Sequence, residues 1–391
     1  MLFRSLIDEL TSNYGPVSIL WFDGVEPVSP DKWKNTPTEI AQNVYKKQPG
    51  IMLGTHGGMT EDFISFEVMV GPFDRVKPWE TCEQINPGGW VYNKPMQPFP
   101  FKKLLTNLVY TVCRDGNYLL DVGPMADGRL YAPDVARLED FAVWMNTNKE
   151  AIHGTRGGPY RDGEWGGATC REKCVYLFIS DKIGEQFNIP LPDVKIINVQ
   201  RLDGGNVSWN VANKELCLSF SGRNIGNRPD FICVKLDIDR PAFYLPLIDV
   251  QQNLALQASI NVSGVRNKND NLCGPQMLFD NKGETAWETE ASDTTGYIEF
   301  DFGKPVPVGS LSIAEKGQTE GWNHRLYMAL KVKSHLSDEW KLILEQNGVL
   351  GAPPVLVFNP VNTRFLKVEF KKTSTFPLQV AELRLFAPLG Q

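Results

Sequence analysis

Val17-Ser18-Ile19-Leu20-Trp21-Phe22-Asp23-Gly24 is a continuous apolar run that stops abruptly at Asp-Gly. Its β-branched and aromatic residues make it read as a strand buried on both faces, as in a parallel sheet. The first carboxylate, Asp23, then falls at the C-terminal edge of that strand, which in a barrel of parallel strands is where chemistry sits. Trp21 lies two positions before Asp23, so the two side chains share one face. The plainer alternative is a turn after a core strand, because Asp-Gly favours turns on its own.

Working outward from this stretch, residues 1–154 alternate helix and strand patterns. A helix over about Phe3–Asn13 precedes the Trp21 strand, and Pro37–Tyr45 reads as a helix with proline near its start. Gly50–Gly54 is a short strand, Asp62–Val68 is extended, and Trp90-Val91-Tyr92-Asn93 reads as a further strand end. Phe101–Thr111 is helical, with Leu104, Leu105, Leu108 and Val109 on one stripe. Asn117–Pro124 is another buried strand, followed by a helix over about Ala132–Asn148. The alternation stops near Gly154. Short strands such as Lys173–Ile179, Glu215–Phe220 and Phe231–Leu236 imply a small antiparallel sandwich over residues 155–245. A second all-β segment occupies residues 250–391, so the expected fold class is multidomain, α/β followed by all-β.

At 391 residues the chain has room for two or three domains with ample core. Hydrophobic residues at 42% and charged residues at 22% describe an ordinary globular protein, and the net charge of −6 argues against nucleic acid as the main partner. No apolar run approaches the ~18–20 residues of a membrane span. The first ten residues have helical periodicity with acidic residues inside it, unlike a signal peptide. Seven cysteines are scattered without a paired Cys-x-x-Cys geometry for zinc. They read as buried thiols, with one or two disulfides among Cys170, Cys174, Cys217 and Cys233 as the open alternative.

Four segments, in order over roughly residues 5–155, carry a resemblance. They are Tyr14-Gly15-Pro16 with Leu20–Gly24; Asp62-Phe63-Ile64-Ser65-Phe66-Glu67; Trp79-Glu80-Thr81-Cys82 through Trp90-Val91-Tyr92-Asn93; and Asp115–Pro124. Together they resemble the second half of the catalytic domain of α-L-fucosidases of glycoside hydrolase family 29, a (β/α)8 barrel. Retaining glycoside hydrolysis needs two carboxylates flanking the anomeric carbon, ~5–5.5 Å apart. The resemblance implies that Asp23 is the nucleophile, forming a covalent fucosyl ester, and that Glu67 is the general acid/base, with Glu61 and Glu80 as alternatives. It implies that Trp21 flanks the sugar, that Trp90 forms an apolar wall for the C5 methyl group, and that His56 stands near a sugar-binding arginine of the family. Asn117 and Asp121 read as strand-end scaffolding, and Asp121 departs from the family's usual asparagine.

The family also places three barrel strands and several sugar-binding histidines before the nucleophile strand. This chain has four His in all, and none stands in such a motif. The expectation is therefore the C-terminal half of a barrel over residues 1–154, an N-terminally truncated enzyme with weak or absent hydrolysis. For the full-length parent the resemblance implies an extracellular, periplasmic or lysosome-like location.

In the C-terminal segment, Gln276–Trp287, Tyr297–Gly303 and Val380–Leu383 resemble discoidin-type (F5/8 C) domains, jelly rolls that serve glycosidases as family 32 carbohydrate-binding modules. That resemblance implies a structural calcium near Asp280 and Glu382, since oxygen ligands suit calcium; the alternative is an Asx-turn and a metal-free glutamate. Trp322-Asn323-His324-Arg325 offers the aromatic, His and Arg mixture of a sugar-binding loop. No cofactor is expected for catalysis. The expected partners are fucosylated glycans or glycoconjugates, acted on by a retaining exo-α-L-fucosidase; the competing class is a non-catalytic, lectin-like protein. Oligomeric state is not legible.

Overall fold

The computed structural model describes residues 2–22, 37–55, 62–92, 96–220, 231–267, 272–317 and 326–389. Five short strands, β1 (Ile19–Phe22), β2 (Met52–Thr55), β3 (Phe63–Glu67), β4 (Trp79–Gln84) and β5 (Asn117–Asp121), form one sheet in sequence order. Every pairing is parallel. The sheet is a half-barrel, with β1 and β5 as its two edges.

Among the described residues, helices cover one face only. α1 (Leu2–Asn13) precedes β1, and α2 (Pro37–Lys47) follows it with Glu39 in its first turn and Lys46 and Lys47 in its last, charges that complement the helix dipole. α3 (Phe101–Cys113) joins β4 to β5, and α4 (Ala132–Asn148) follows β5. Phe22 and Leu53 pack against Ile7, Ile40 and Val44 of the first two helices. Ile64, Phe66 and Trp79 pack against Leu105, Leu108 and Val109 of α3. α3 stops where Asp115 takes a left-handed φ of 75° and turns the chain into β5.

No helix follows β3 among the described residues, and the C-terminal region covers that part of the outer face instead. A Cβ on Gly317 would strike Ile64, and one on Gly283 would press Phe66 at 3.0 Å, so both backbones lie directly on β3. Val349 and Val355 join the same cluster, and Val70 N donates to Gly351 O at 3.3 Å.

Residues 156–238 form two antiparallel sheets. The order by residue is 196–201, 231–238, 174–180, 166–171, 156–157 in one, and 186–190, 215–220, 207–212 in the other. Trp165, Leu177, Ile189, Leu218 and Val234 fill the core of this region. Beyond residue 259 the chain is mostly β, with long strands at 295–315 and 356–372 at the centre of a seven-stranded sheet. Trp287, Phe300 and Phe370 anchor its core.

Two sequence expectations need correction, and the open alternative of disulfides falls away while the reading of the cysteines as thiols stands. The Trp21 strand is not buried on both faces: Ile19 is 48% exposed and only Phe22 is fully enclosed, because among the described residues β1 is an edge strand of the sheet. Trp90–Tyr92 is not a strand end. The strand is Trp79–Gln84, and Pro87-Gly88-Gly89, with Gly89 at a φ of 105°, turns the chain before Trp90. All seven cysteines are free thiols, with no disulfide among Cys170, Cys174, Cys217 and Cys233.

Candidate active site

The pairing register sorts the sheet into two faces. Ser65 stands opposite Glu80, and Glu67 opposite Cys82. These residues alternate with the helix-covered Ile64, Phe66 and Trp79, so they point to the face that carries no helix. Trp21 reaches the same group from β1: its Nε1 donates to Glu80 Oε1 at 2.8 Å, and Ser65 Oγ donates to the same oxygen at 3.2 Å. Trp21 and Glu80 are far apart in sequence, and two strands, β2 and β3, lie between theirs in the sheet. Between them Gly54 carries no side chain, and the ring of Phe63 occupies the space a Cβ there would need.

Glu67 is the last residue of β3 and half-buried, at the C-terminal edge. Glu80 is the second residue of β4 and lies deeper. Burial pushes the Glu80 carboxyl above the usual carboxylate range, against the pull of its hydrogen bonds from Trp21 and Ser65. Burial also pushes the Cys82 thiol up to about 12, helped by the charges of Glu80, Glu67 and Asp121. These carboxylates therefore share one electrostatic neighbourhood. Asp121 ends β5, and burial raises its carboxyl too.

Trp90 is 37% exposed in the segment after β4. The backbone of Val91 and Tyr92 presses on Gly123 just beyond β5, leaving no room for a Cβ there. That contact holds the Trp90 segment at the same edge of the sheet as Asp121. Asp23 follows the last residue of β1 in sequence and His56 the last residue of β2. Both, with Glu61, lie outside the described residues. Ser65 and Cys82 were not singled out from sequence. Their i, i+2 spacing to Glu67 and Glu80 was visible, but the cross-strand register that joins them was not.

Trp322, His324 and Arg325 likewise lie outside the described residues. Asp280 is occupied as an Asx-turn: its Oδ1 accepts from Lys282 N at 3.1 Å and its Oδ2 from Thr285 Oγ at 2.6 Å. Glu382 is buried and accepts from Asn281 N at 3.2 Å. It shares a small cavity with Arg114, Arg161 and Arg384. Burial lifts its carboxyl to about 8, with Arg161 and Arg384 opposing the rise. Three guanidinium groups around a mostly neutral carboxyl are a poor setting for a divalent cation, and no cluster of three or more His, Cys, Asp or Glu fit for a metal occurs among the described residues. These side chains do not fit calcium.

Residues 2–150 match the model of the Alpha-L-fucosidase family, and residues 259–383 that of the F5/8 type C domain. Tissue alpha-L-fucosidase of Bos taurus is 29% identical over 168 residues, covering 39% of this chain and 34% of its own length. Plasma alpha-L-fucosidase of Homo sapiens is 27% identical over 185 residues, covering 43% and 39%. The chain thus spans little more than a third of the length of the curated relatives it matches. Among solved structures, the alpha-L-fucosidase from Vibrio sp. strain EJY3 superposes with a TM-score of 0.57 at 18% identity, covering 98% of this chain and 69% of that one. At that identity the likeness shows the fold. Residues 2–150 therefore match the alpha-L-fucosidase family, and residues 259–383 the F5/8 type C domain.

Proposed function

We propose that the helix-free face of β1–β5 is the fucose-processing half of a retaining exo-α-L-fucosidase acting on terminal α-L-fucose of glycans and glycoconjugates. In this reading Asp23 attacks the anomeric carbon and forms a fucosyl ester, while Glu67 protonates the departing oxygen and then activates water. Trp21 and Trp90 supply apolar walls, His56 contacts the sugar, and the enzyme works in an extracellular, periplasmic or lysosome-like compartment. The observation that carries the reading is the meeting of family and geometry. The family match covers the whole half-barrel, and within it Glu67 ends β3 on the face that also holds Trp21 and Glu80. Glu80 is the weaker acid/base candidate, because one of its oxygens already accepts from both Trp21 and Ser65.

The described residues supply five parallel strands, whereas ~8 close a barrel of this kind. A half-barrel of this kind by itself is expected to show weak or absent turnover. Hydrolysis of an aryl α-L-fucoside tests this. The reading expects rates far below the ~1–1000 per second typical of enzymes, with any residual turnover abolished by Asp23→Asn. Turnover in the normal range, or residual turnover indifferent to Asp23→Asn, would contradict it.

The unclosed five-stranded sheet also favours a second reading, a non-catalytic lectin-like protein whose F5/8 type C domain, a jelly roll, binds glycan through Trp322, His324 and Arg325. Glycan-array binding by the full chain that disappears with Trp322→Ala, together with no turnover, would select it.

A further inference from the structure

A cavity of about 800 Å³ opens between α3, α4 and the start of β5, and all of its lining residues are among those described. Pro78 and Gly116, which line it, directly precede β4 and β5, so it lies at the opposite end of the sheet from Glu67 and Asp121. Its volume is that of a small-molecule site, ~300–1,000 Å³. The apolar walls are Leu108 and Val112 from α3, Leu138, Phe141 and Met145 from α4, and Leu120 from β5. Phe141 already packs edge-on against Phe101, with ring centroids 5.0 Å apart. The charged lining residues are joined to one another. Arg156 Nη2 donates to Asp115 Oδ2 at 2.6 Å and to Arg75 O at 3.3 Å. Arg156 is thus paired with Asp115, and Lys77 Nζ pairs with Glu284 at 3.3 Å. Arg75 is half-buried and has no ion pair among the described residues. Its guanidinium donates to backbone oxygens instead, Nε and Nη2 to Gly157 O and Nη1 to Phe243 O at 3.4 Å. The rings of Phe243 and Phe73 face it at 4.9 Å and 5.7 Å, which attracts a cation without neutralising it. Burial lowers the Arg75 guanidinium from its ordinary value, and the like charge of Arg156 adds to the fall against the pull of Asp115.

We propose that this cavity binds a monoanion of fatty-acid type, with its carboxylate on Arg75 and its alkyl chain between α3 and α4. A single negative charge fits because Arg156 and Lys77 already have carboxylate partners and Arg75 does not. Nη1 of Arg75 carries two N–H groups and makes one 3.4 Å bond, so it has a donor left for the ligand. An oxyanion there gains a charge-assisted hydrogen bond and supplies the missing counter-charge. Tyr118 also lines the cavity, and its buried hydroxyl has no hydrogen-bond partner among the described residues. Burial pushes that phenol well above its usual value, so it remains an O–H donor for a polar head. Five of the six apolar wall residues are aliphatic, and Met145 adapts its shape to what it meets. Such walls suit a flexible alkyl chain, whereas an aromatic ligand calls for open ring faces to stack on. The site is separate from the inner face of the sheet, so its failure would leave the fucosidase reading untouched.

The test is calorimetric titration of the full chain with decanoate below its micelle range, beside decyltrimethylammonium as an alkyl chain of opposite charge. The wild type should bind one decanoate per chain and the cation at least about tenfold more weakly. Arg75→Met keeps the stem and loses the charge, and should weaken decanoate about tenfold, the loss expected for one charge-assisted hydrogen bond. Arg75→Lys should recover most of that loss. Met145→Trp fills the cavity from α4 and should abolish decanoate binding while thermal unfolding stays cooperative. Absence of decanoate binding to the wild type overturns the proposal. Equal affinity for the two ions does so as well, since it would mean an apolar surface that ignores charge. Unchanged decanoate affinity in a folded Arg75→Met or a folded Met145→Trp places the binding elsewhere and also refutes it. Arg75 holds Gly157 O as well, so if Arg75→Met does not fold, Met145→Trp and the comparison of the two ions decide.

Discussion

Arg114 Nη2 and Asp162 Oδ2 stand 2.8 Å apart at the point where the half-barrel, the middle sheets and the C-terminal region meet, with side-chain exposures of 3% and 1%. Arg114 caps α3 and also donates to Gly71 O, Ser312 Oγ and Pro354 O. Asp162 receives a second guanidinium, since Arg384 Nη1 donates to its backbone oxygen at 2.8 Å and approaches Oδ1 at 3.3 Å. Burial disfavours the Asp162 charge, and Arg114 and Arg384 outweigh that and hold its carboxyl below the usual range.

Asp162→Ala leaves two arginines buried without their shared anion. The expected cost is ~3–5 kcal/mol, read as a lower denaturation midpoint. The depressed carboxyl contributes stability above its unfolded value, near ~3.9, and that contribution is lost as pH falls through the folded value. Wild type and Asp162→Ala should therefore converge in stability at strongly acid pH. A constant difference from neutral to acid pH would mean that the charge is not what matters there.

Gly317 rests on Ile64, on the outer face of β3 that no helix covers. Gly317→Val should prise the C-terminal region off the sheet at a cost of ~1–3 kcal/mol and raise proteolytic sensitivity in the half-barrel. Unchanged stability would mean that the two parts do not pack as described.

Cys82 reports the charge of the inner face. With its thiol pushed up to about 12, its alkylation at mildly alkaline pH should be far slower than that of an ordinary thiol, whose pKa is ~8.5. Glu67→Gln removes one of the charges that raise it, so the thiolate fraction and the alkylation rate should rise, by roughly two- to fivefold for a shift of a few tenths of a unit. Peptide-level mass spectrometry separates Cys82 from the other six. An unchanged rate would place Glu67 outside the neighbourhood of Cys82.

Glu382 should give the chain a falling stability as pH rises. A carboxyl held at about 8 when folded, against ~4.3 unfolded, binds its proton more tightly in the folded state. Its contribution is full below the unfolded value and is lost as pH climbs through the folded one. Glu382→Gln should flatten that slope between about pH 5 and about pH 8. Melting temperatures of the wild type should be the same in millimolar calcium and in EDTA. A calcium-dependent rise abolished by Glu382→Gln would restore the metal site.

The half-barrel was legible because its strands are short apolar runs ending in polar residues. Phe101–Thr111 and Ala132–Asn148 were readable for the complementary reason, a helical stripe or a proline-marked start, and the structure extends the first only to Cys113. Trp90 misled because a β-prone Trp-Val-Tyr run reads as a strand even after Pro-Gly-Gly has broken the chain. The Trp21–Glu80 bond was not legible. It depends on how four strands, β1 to β4, line up across the sheet, which is not a local property of the sequence. The arginines around Glu382 were hidden likewise: Arg114 and Arg161 come from other parts of the chain.

The central claim is that Asp23 and Glu67 form a retaining pair at the C-terminal edge of this sheet. Its most direct measurement is the separation of their two carboxyl groups in a crystal structure of the chain with L-fucose bound. The account predicts ~5–5.5 Å, with the sugar between them. A separation beyond ~9.5 Å with no other carboxyl facing Asp23 across the sugar, or Asp23 turned into a closed ion pair away from the inner face, would contradict it.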